Sequence, residues 1–476
     1  MFFLPALFVG LAFEQSSRVT AQTFTTLHNF GPTLTQGAVP HAGLIISGNT
    51  LYGTAAGGGT SSNGTVFKVN TDGTGFTNLY NFSAGNELPT VGYTNSDGAN
   101  PHGRLILWGN ILYGTTRTGG KAGVGTVFKV NTDGSGFTNL HSFTYASDGG
   151  YPNAGLILSG STLYGTAFEG GSFGYGTVFK LDTAGTGFTT LHSFSAVSGN
   201  PATNSDGIFT YAGLVLADNT LYGTAVAGGG FGNGNVFAIN TDGTGFTNLH
   251  SFTATSSPGY TNSDGANPRA GLALSGNTLF GTTSAGGNFG GGSVFAINNN
   301  GTGFTNLYSF TAQTASFPYV NSDGGGPINE LFLSGNTLIG TAQFGGSLGN
   351  GTVFALNTDG SGFTNLHSFV RASDGANPMD KLILSGNRMF GTAYSGGSSG
   401  IGTVFSLTFV PELTIVRSGT SVVLNWPTNV AGFDYSGYFL QSAPTITGTF
   451  TNIASATNPY TNTITGSQKY FRLISN

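Results

Sequence analysis

One short string governs this chain: Leu51-Tyr52-Gly53-Thr54 returns as Leu112-Tyr113-Gly114-Thr115, Leu163-Tyr164-Gly165-Thr166 and Leu221-Tyr222-Gly223-Thr224. Variants follow at Leu279-Phe280-Gly281-Thr282, Leu338-Ile339-Gly340-Thr341 and Met389-Phe390-Gly391-Thr392, so consecutive copies begin 51 to 61 residues apart. A second string, Gly64-Thr65-Val66-Phe67, places Val-Phe again at 127/128, 178/179, 236/237, 294/295, 353/354 and 404/405. Self-similarity at this period means one small unit repeated in an array, not one irregular core.

Two further strings complete the unit. Phe76-Thr77-Asn78-Leu79-Tyr80-Asn81-Phe82 begins again at Phe137, Phe188, Phe246, Phe304 and Phe363, and Gly43-Leu44-Ile45-Ile46-Ser47 recurs around Leu105, Leu156, Leu214, Leu272, Leu331 and Leu382. All four are short, rich in aliphatic, aromatic or Thr residues, and bounded by Gly, Asn or Asp, which is strand punctuation. Asp72-Gly73 supplies the positive φ of a hairpin between the third and fourth strands. Each repeat therefore reads as four strands, at 43–47, 50–55, 65–70 and 76–82 in the first copy. Seven copies predict an all-β, seven-bladed β-propeller over residues 22–409. The last repeat ends near Leu407 without a fourth strand, and an orphan fourth strand, Phe24 to Phe30, precedes the first repeat. Pairing the orphan with the last blade would close the ring without a bare edge.

Composition agrees. Gly supplies 81 of 476 residues and Phe 40, as many tight turns between packed strands require, while charged residues are only 7%. Sparse charge and a net −5 argue against nucleic acid, which needs clustered Lys and Arg. The absence of Cys excludes disulfides and thiolate chemistry. Phe2 to Phe13 is apolar but short for a bilayer span, and Val19-Thr20-Ala21 offers a small-residue cleavage site. Residues 1–21 read as a signal peptide, and the mature protein as extracellular or at the cell surface, with no transmembrane segment. Residues 410–476 leave the repeat; a Trp426-Pro427 pair and Tyr470 resemble a small fibronectin type III-like β-sandwich.

The Leu-Tyr-Gly-Thr, Gly-Thr-Val-Phe and Asp-Gly-Thr-Gly-Phe-Thr-Asn-Leu elements together resemble the GloVer-type tandem repeat of secreted bacterial proteins. The resemblance covers about 380 residues and implies an extracellular propeller-like array. It brings no catalytic residues to transfer.

Candidate sites are weighed against turn and packing roles. His28, His141, His192, His250 and His367 share one position in the fourth strand, where Tyr80 and Tyr308 stand in the other repeats. Tyr does not replace a metal ligand, so packing between blades is expected, on the same strand face as two Phe residues; no metal and no cofactor are expected. Asp72, Asp133, Asp242 and Asp359 belong to hairpins, where a carboxylate caps its own turn. The Asn-Ser-Asp-Gly runs ending at Gly98, Gly207, Gly265 and Gly324 lack the first Asp and distant Glu of a calcium loop and read as turns.

Positions that vary among near-identical repeats are those that the ring does not dictate. One follows the loop proline: His41, His102, Asn153, Tyr211, Arg269, Ile328 and Met379, with Arg104, Glu330, Asp380 and Lys381 close by. Another precedes the second-to-third-strand glycines: Arg117, Phe168, Glu169, Gln343, Phe344 and Tyr394. Together they are expected to surround the channel mouth and to bind a glycan, an envelope component or a protein partner. The alternative is a propeller enzyme, a glycan lyase or hydrolase using His41, His102, Arg269 or Glu330, although scarce carboxylates disfavour a glycosidase. A monomer is expected.

Overall fold

A computed structural model describes residues 21–88, 92–314, 318–379, 381–411, 413–426, 429–430, 433–434, 438–454, 456–463 and 469–475. Among them every regular element is a strand. The expected leader lies outside these residues, apart from Ala21. One compact unit spans Ala21–Thr408, and the residues from Phe409 onward belong to a second.

In the first unit six sheets contain four antiparallel strands in chain order, and a further sheet places Ala21–Asn29 beside Thr403–Phe409. In the first repeat the strands are Ile45–Ser47, Thr50–Ala55, Thr65–Asn70 and Thr77–Asn81. The two central strands coincide with the sequence reading; the outer two are shorter by one or two residues at each affected end, where Gly, Leu or Phe leaves the ladder.

Cross-strand register explains why the two commonest strings recur together. Gly53 pairs with Phe67, and a Cβ at Gly53 would stand 2.6 Å from Phe67 Cζ and 2.8 Å from Leu44 Cδ2. The glycine makes room for a Phe ring to lie across the ladder, and Phe67, Leu44 and Leu51 are fully buried. The same geometry holds at Gly114 with Phe128 and at Gly223 with Phe237. Phe67 alone would cost about 3–5 kcal/mol on truncation to Ala.

The fourth strand departs from simple alternation. Val66 pairs with Tyr80 but Phe67 with Asn78, so a β-bulge intervenes. An extra residue reverses the sense of the side chains beyond it. Phe76 therefore turns toward the preceding repeat, whereas Tyr80 and Phe82 turn toward the following one, and the expectation that they share a face is corrected. The result is a ring stack at each sheet-to-sheet junction. His28 lies on Phe76, Tyr80 on Phe137, His141 on Phe188, His192 on Phe246, His250 on Phe304, Tyr308 on Phe363, and His367 on Phe24, with centroids 3.7 to 4.3 Å apart. The last of these uses the N-terminal strand.

Other contacts repeat in the same way. Thr166 Oγ1 donates to Ala212 O at 2.9 Å between consecutive repeats, and Thr392 Oγ1 donates to Ala42 O at 3.0 Å between the last and the first. One apolar cluster contains Phe390 and Val404 together with Leu44, Leu51 and Phe67. In the second unit, two three-stranded sheets contribute to a small core around Leu424, Trp426 and Leu440.

Candidate functional site

The residue before each loop proline sets the direction of the chain. Val39, Asn100, Tyr151, Asn267 and Asn377 have positive φ, as does Phe209 of the fourth repeat, where Thr210 stands in place of the proline; the values lie between 48° and 64°, and Gly326 occupies the corresponding place in the sixth repeat at 60°. Asn and Gly accept this region readily; Val, Tyr and Phe are strained in it. Two of the strained rings have company: Phe209 stacks on Phe168 at 5.0 Å, and the Arg117 guanidinium lies 5.9 Å from the Tyr151 ring.

Beyond that turn, a buried Thr of the second strand fixes the next loop. Thr115 Oγ1 donates to Ala154 O at 2.8 Å, Thr224 Oγ1 to Ala270 O at 2.9 Å, and Thr166 and Thr392 do likewise to Ala212 and Ala42. Each held carbonyl belongs to the neighbour of a variable residue, which is thereby aimed inward. All seven variable residues, His41, His102, Asn153, Tyr211, Arg269, Ile328 and Met379, line one cavity of about 230 Å³, with Arg104 and Glu330. Arg117, Phe168 and Tyr394 line an adjoining pocket of about 600 Å³ that shares His41, His102, Asn153 and Tyr211. A third pocket continues along the first strands past Ile46, Leu216, Leu274, Leu333 and Leu384.

Phe344 lies apart from this grouping. It lines none of these pockets, is 44% exposed, and its ring lies over Gly326. Asp380 lies outside the described residues. Lys381 pairs with Glu330, joining the sixth and seventh repeats.

His41 and His102 stack on each other at 4.0 Å, and the Tyr394 ring meets His41 edge-on at 5.9 Å. Burial, assisted by the Arg117 charge, lowers His41 to about 4. Burial, then His41 and Arg117, lower His102 to about 2. Both rings are therefore neutral at physiological pH. Asn153 is 5% exposed, and neither its Nδ2 nor its Oδ1 has a hydrogen-bond partner; buried His102 Nδ1 is likewise unpartnered. Buried polar atoms are rarely left so. No group of three or more His, Cys, Asp or Glu side chains that could hold a metal occurs among the described residues.

Sequence reasoning missed the partners of the fourth-strand ring. His141, His192, His250 and His367 donate through Nε2 to Asp148, Asp206, Asp264 and Asp374 at 2.9 to 3.0 Å, and the hydroxyls of Tyr80 and Tyr308 donate to Asp97 and Asp323 at 2.8 Å. The loop Asp is more than a turn former, and His exchanges with Tyr because both deliver a donor to it. Separations of 7 to 17 residues hid the pairing. The usable signal was an Asp-Gly ending six of the seven inter-repeat loops, with Gln36-Gly37 in the other. His28, which faces that loop, has an unpartnered Nε2.

The Gloeobacter/Verrucomicrobia repeat matches residues 10–203, 84–260, 202–322 and 314–458. The chain belongs to this repeat family. In this member of the Gloeobacter/Verrucomicrobia repeat family the matched segments overlap and run through all copies of the unit described above. No curated relative matches the chain. Solved structures similar to it include an oligogalacturonate lyase in complex with manganese, 10% identical over 83% of this chain and 95% of that one, with a TM-score of 0.47. A puromycin-hydrolyzing peptidase from Mycobacterium tuberculosis is 9% identical over 86% of this chain and 62% of that one, with a TM-score of 0.49. Likenesses this distant carry no argument about the chemistry of the family member described here. Its all-β, propeller-like architecture rests on its own repeated sheets.

Proposed function

We propose that the chain is an exported bacterial protein whose seven sheets are the blades of a closed propeller, and that it works as a binding module through the mouth of the central channel. Closure is supported by the N-terminal strand beside Thr403–Phe409 and by the His367–Phe24 stack, which repeats the other six. In this reading residues 1–21 are the leader, 22–409 the propeller, and 410–476 a reduced fibronectin type III-like spacer. The ligand is a glycan, an envelope component or a protein met outside the cell.

The observation that carries the binding reading is Asn153. A 5% exposed amide with both polar atoms unpartnered, in a cavity reached by one variable residue from every repeat, is arranged for a ligand rather than for the fold. A catalytic reading is weaker: Glu330 is tied to Lys381, and His41 and His102 face each other instead of a carboxylate. A glycan array with the purified protein, followed by titration of Tyr211→Ala and Arg269→Ala, tests the proposal. Affinity should fall about tenfold per true hot spot, roughly 1.4 kcal/mol. Loss of binding on Asp72→Ala and Asp133→Ala in the hairpins, with the mouth variants unaffected, would place the site elsewhere.

A further inference from the structure

Charge is scarce in this chain, yet four of its 14 basic residues, Arg104, Arg117, Arg269 and Lys381, gather at one mouth. Lys381 is paired with Glu330, but among the described residues Arg104, Arg117 and Arg269 have no carboxylate in ion-pair range. Among the described residues these three guanidinium groups have no counter-charge, and beside two neutral imidazoles they give this part of the mouth a positive character. Guanidinium forks match carboxylate, sulfate and phosphate oxygens.

The remaining groups ask for a different chemistry. Asn153 offers an unused donor and an unused acceptor, and His102 Nδ1 is unused as well. A hydroxyl both donates and accepts, so it can satisfy either. Phe168 and Tyr211, at 5.9 Å and nearly perpendicular, supply apolar ring surface beside Asn153. His102, Asn153 and Tyr211 line both the 230 Å³ cavity and the adjoining pocket of about 600 Å³ that holds Arg117 and Phe168, so a sugar ring seated on them meets both sets of groups.

Resting on the binding reading above, we infer that the mouth takes the terminal residue of an acidic glycan. The sugar hydroxyls engage Asn153 and His102, a sugar face lies on the aromatic side of the mouth, and the acid group is held by the unpaired arginines. Carboxylate and sulfate share this chemistry, and the experiment separates them.

The full chain is titrated calorimetrically with glucuronic acid, galacturonic acid, glucose 6-sulfate and glucose, at low and at moderate salt. An acidic sugar should bind at least tenfold tighter than glucose, and the margin should shrink with salt. Tighter binding of the uronic acids identifies a carboxylate ligand, and of glucose 6-sulfate a sulfate one; either result supports the inference. Arg117→Gln with Arg104→Gln should abolish the preference for acid while leaving weak glucose binding. Asn153→Leu should weaken all sugars about tenfold, with an unchanged melting temperature as the check on folding. Equal affinity for glucose and the acids, or no response to any of the sugars, overturns the inference. In that event an array ligand, such as a neutral glycan or a peptide, that still responds to Tyr211→Ala leaves the binding module standing. Array ligands indifferent to every mouth variant overturn both.

Discussion

Two rings of side chains run through the repeats, and they obey opposite rules. At the fourth-strand position five His and two Tyr alternate, and six of the seven donate to a buried loop carboxylate while stacking on the next Phe. At the mouth, seven equivalent backbone positions carry His, His, Asn, Tyr, Arg, Ile and Met, and a buried amide there is left unpartnered. Where the fold needs a donor of fixed reach, only residues able to provide it appear. Where the backbone alone is fixed, by a Thr hydroxyl and a left-handed turn, the side chain is released for another use. The repeat thus separates what holds the protein together from what it presents.

The sharpest way to break this comparison is to remove the seam. Deleting 24–30 removes Phe24 from the seventh ring stack and Phe30 from a fully buried site. A buried Phe is worth about 3–5 kcal/mol by itself, and the freed strand edge recruits other chains. A drop in melting temperature of roughly 10 °C or more is expected, with aggregates on size exclusion. An unchanged melting curve and a monomeric peak would refute closure.

The strands, the repeat count and the variable positions were legible in sequence because each recurs with fixed neighbours. Asp264 was not legible as the partner of His250, because inter-repeat loops differ in length and the two meet only in space. Phe76 was assigned to the wrong face because a one-residue bulge leaves no compositional trace. His102 and Asn153 stand out in sequence only as variable positions, because their unmet hydrogen bonds depend on what surrounds them.

A second test sets the two rings against each other in one repeat. Asp264 accepts from His250 Nε2 at 3.0 Å and from the Thr253 amide at 3.0 Å. Asp264→Ala strands both donors and the Thr253 hydroxyl, which also donates to it, and should cost about 2 kcal/mol in urea denaturation. His250→Tyr, which restores the arrangement at Tyr308, should cost less than about 1 kcal/mol. Arg269→Ala, at the mouth of the next repeat, should stay within about 0.5 kcal/mol of the parent. If Arg269→Ala costs as much as Asp264→Ala, the division between structural and presenting rings is wrong.

The smallest effect is a gain, and it comes from the exception in the structural ring. His28 stacks on Phe76 but faces Gln36 instead of an Asp, and burial lowers it to about 4 from the usual 6.5. It therefore stays neutral in the fold while the unfolded chain takes up a proton. Its contribution is intact above about pH 6.5 and is lost as the pH falls toward about 4, because the unfolded state binds more protons in that window. Five of the other repeats supply Ser or Thr after the last Phe of the strand and the sixth Val370, and all six supply Asp before the loop glycine; Ser195 and Asp206 meet at 2.9 Å through the Ser195 amide, and Val370 and Asp374 at 3.0 Å in the same way. The first repeat has Gly31 and Gln36 there, and a Cβ at Gly31 would meet nothing closer than Gln36 Oε1 at 3.5 Å. Gly31→Ser with Gln36→Asp should give His28 an acceptor, raise its pKa, and add about 1 kcal/mol at pH 7.5. The gain should be larger at pH 5, since a protonated His28 is then tolerated in the fold. Urea midpoints at the two pH values and an NMR titration of His28 provide the readout. If His28 still titrates near 4 and the two proteins unfold together at both pH values, a carboxylate is not what the other six members of the ring have and His28 lacks.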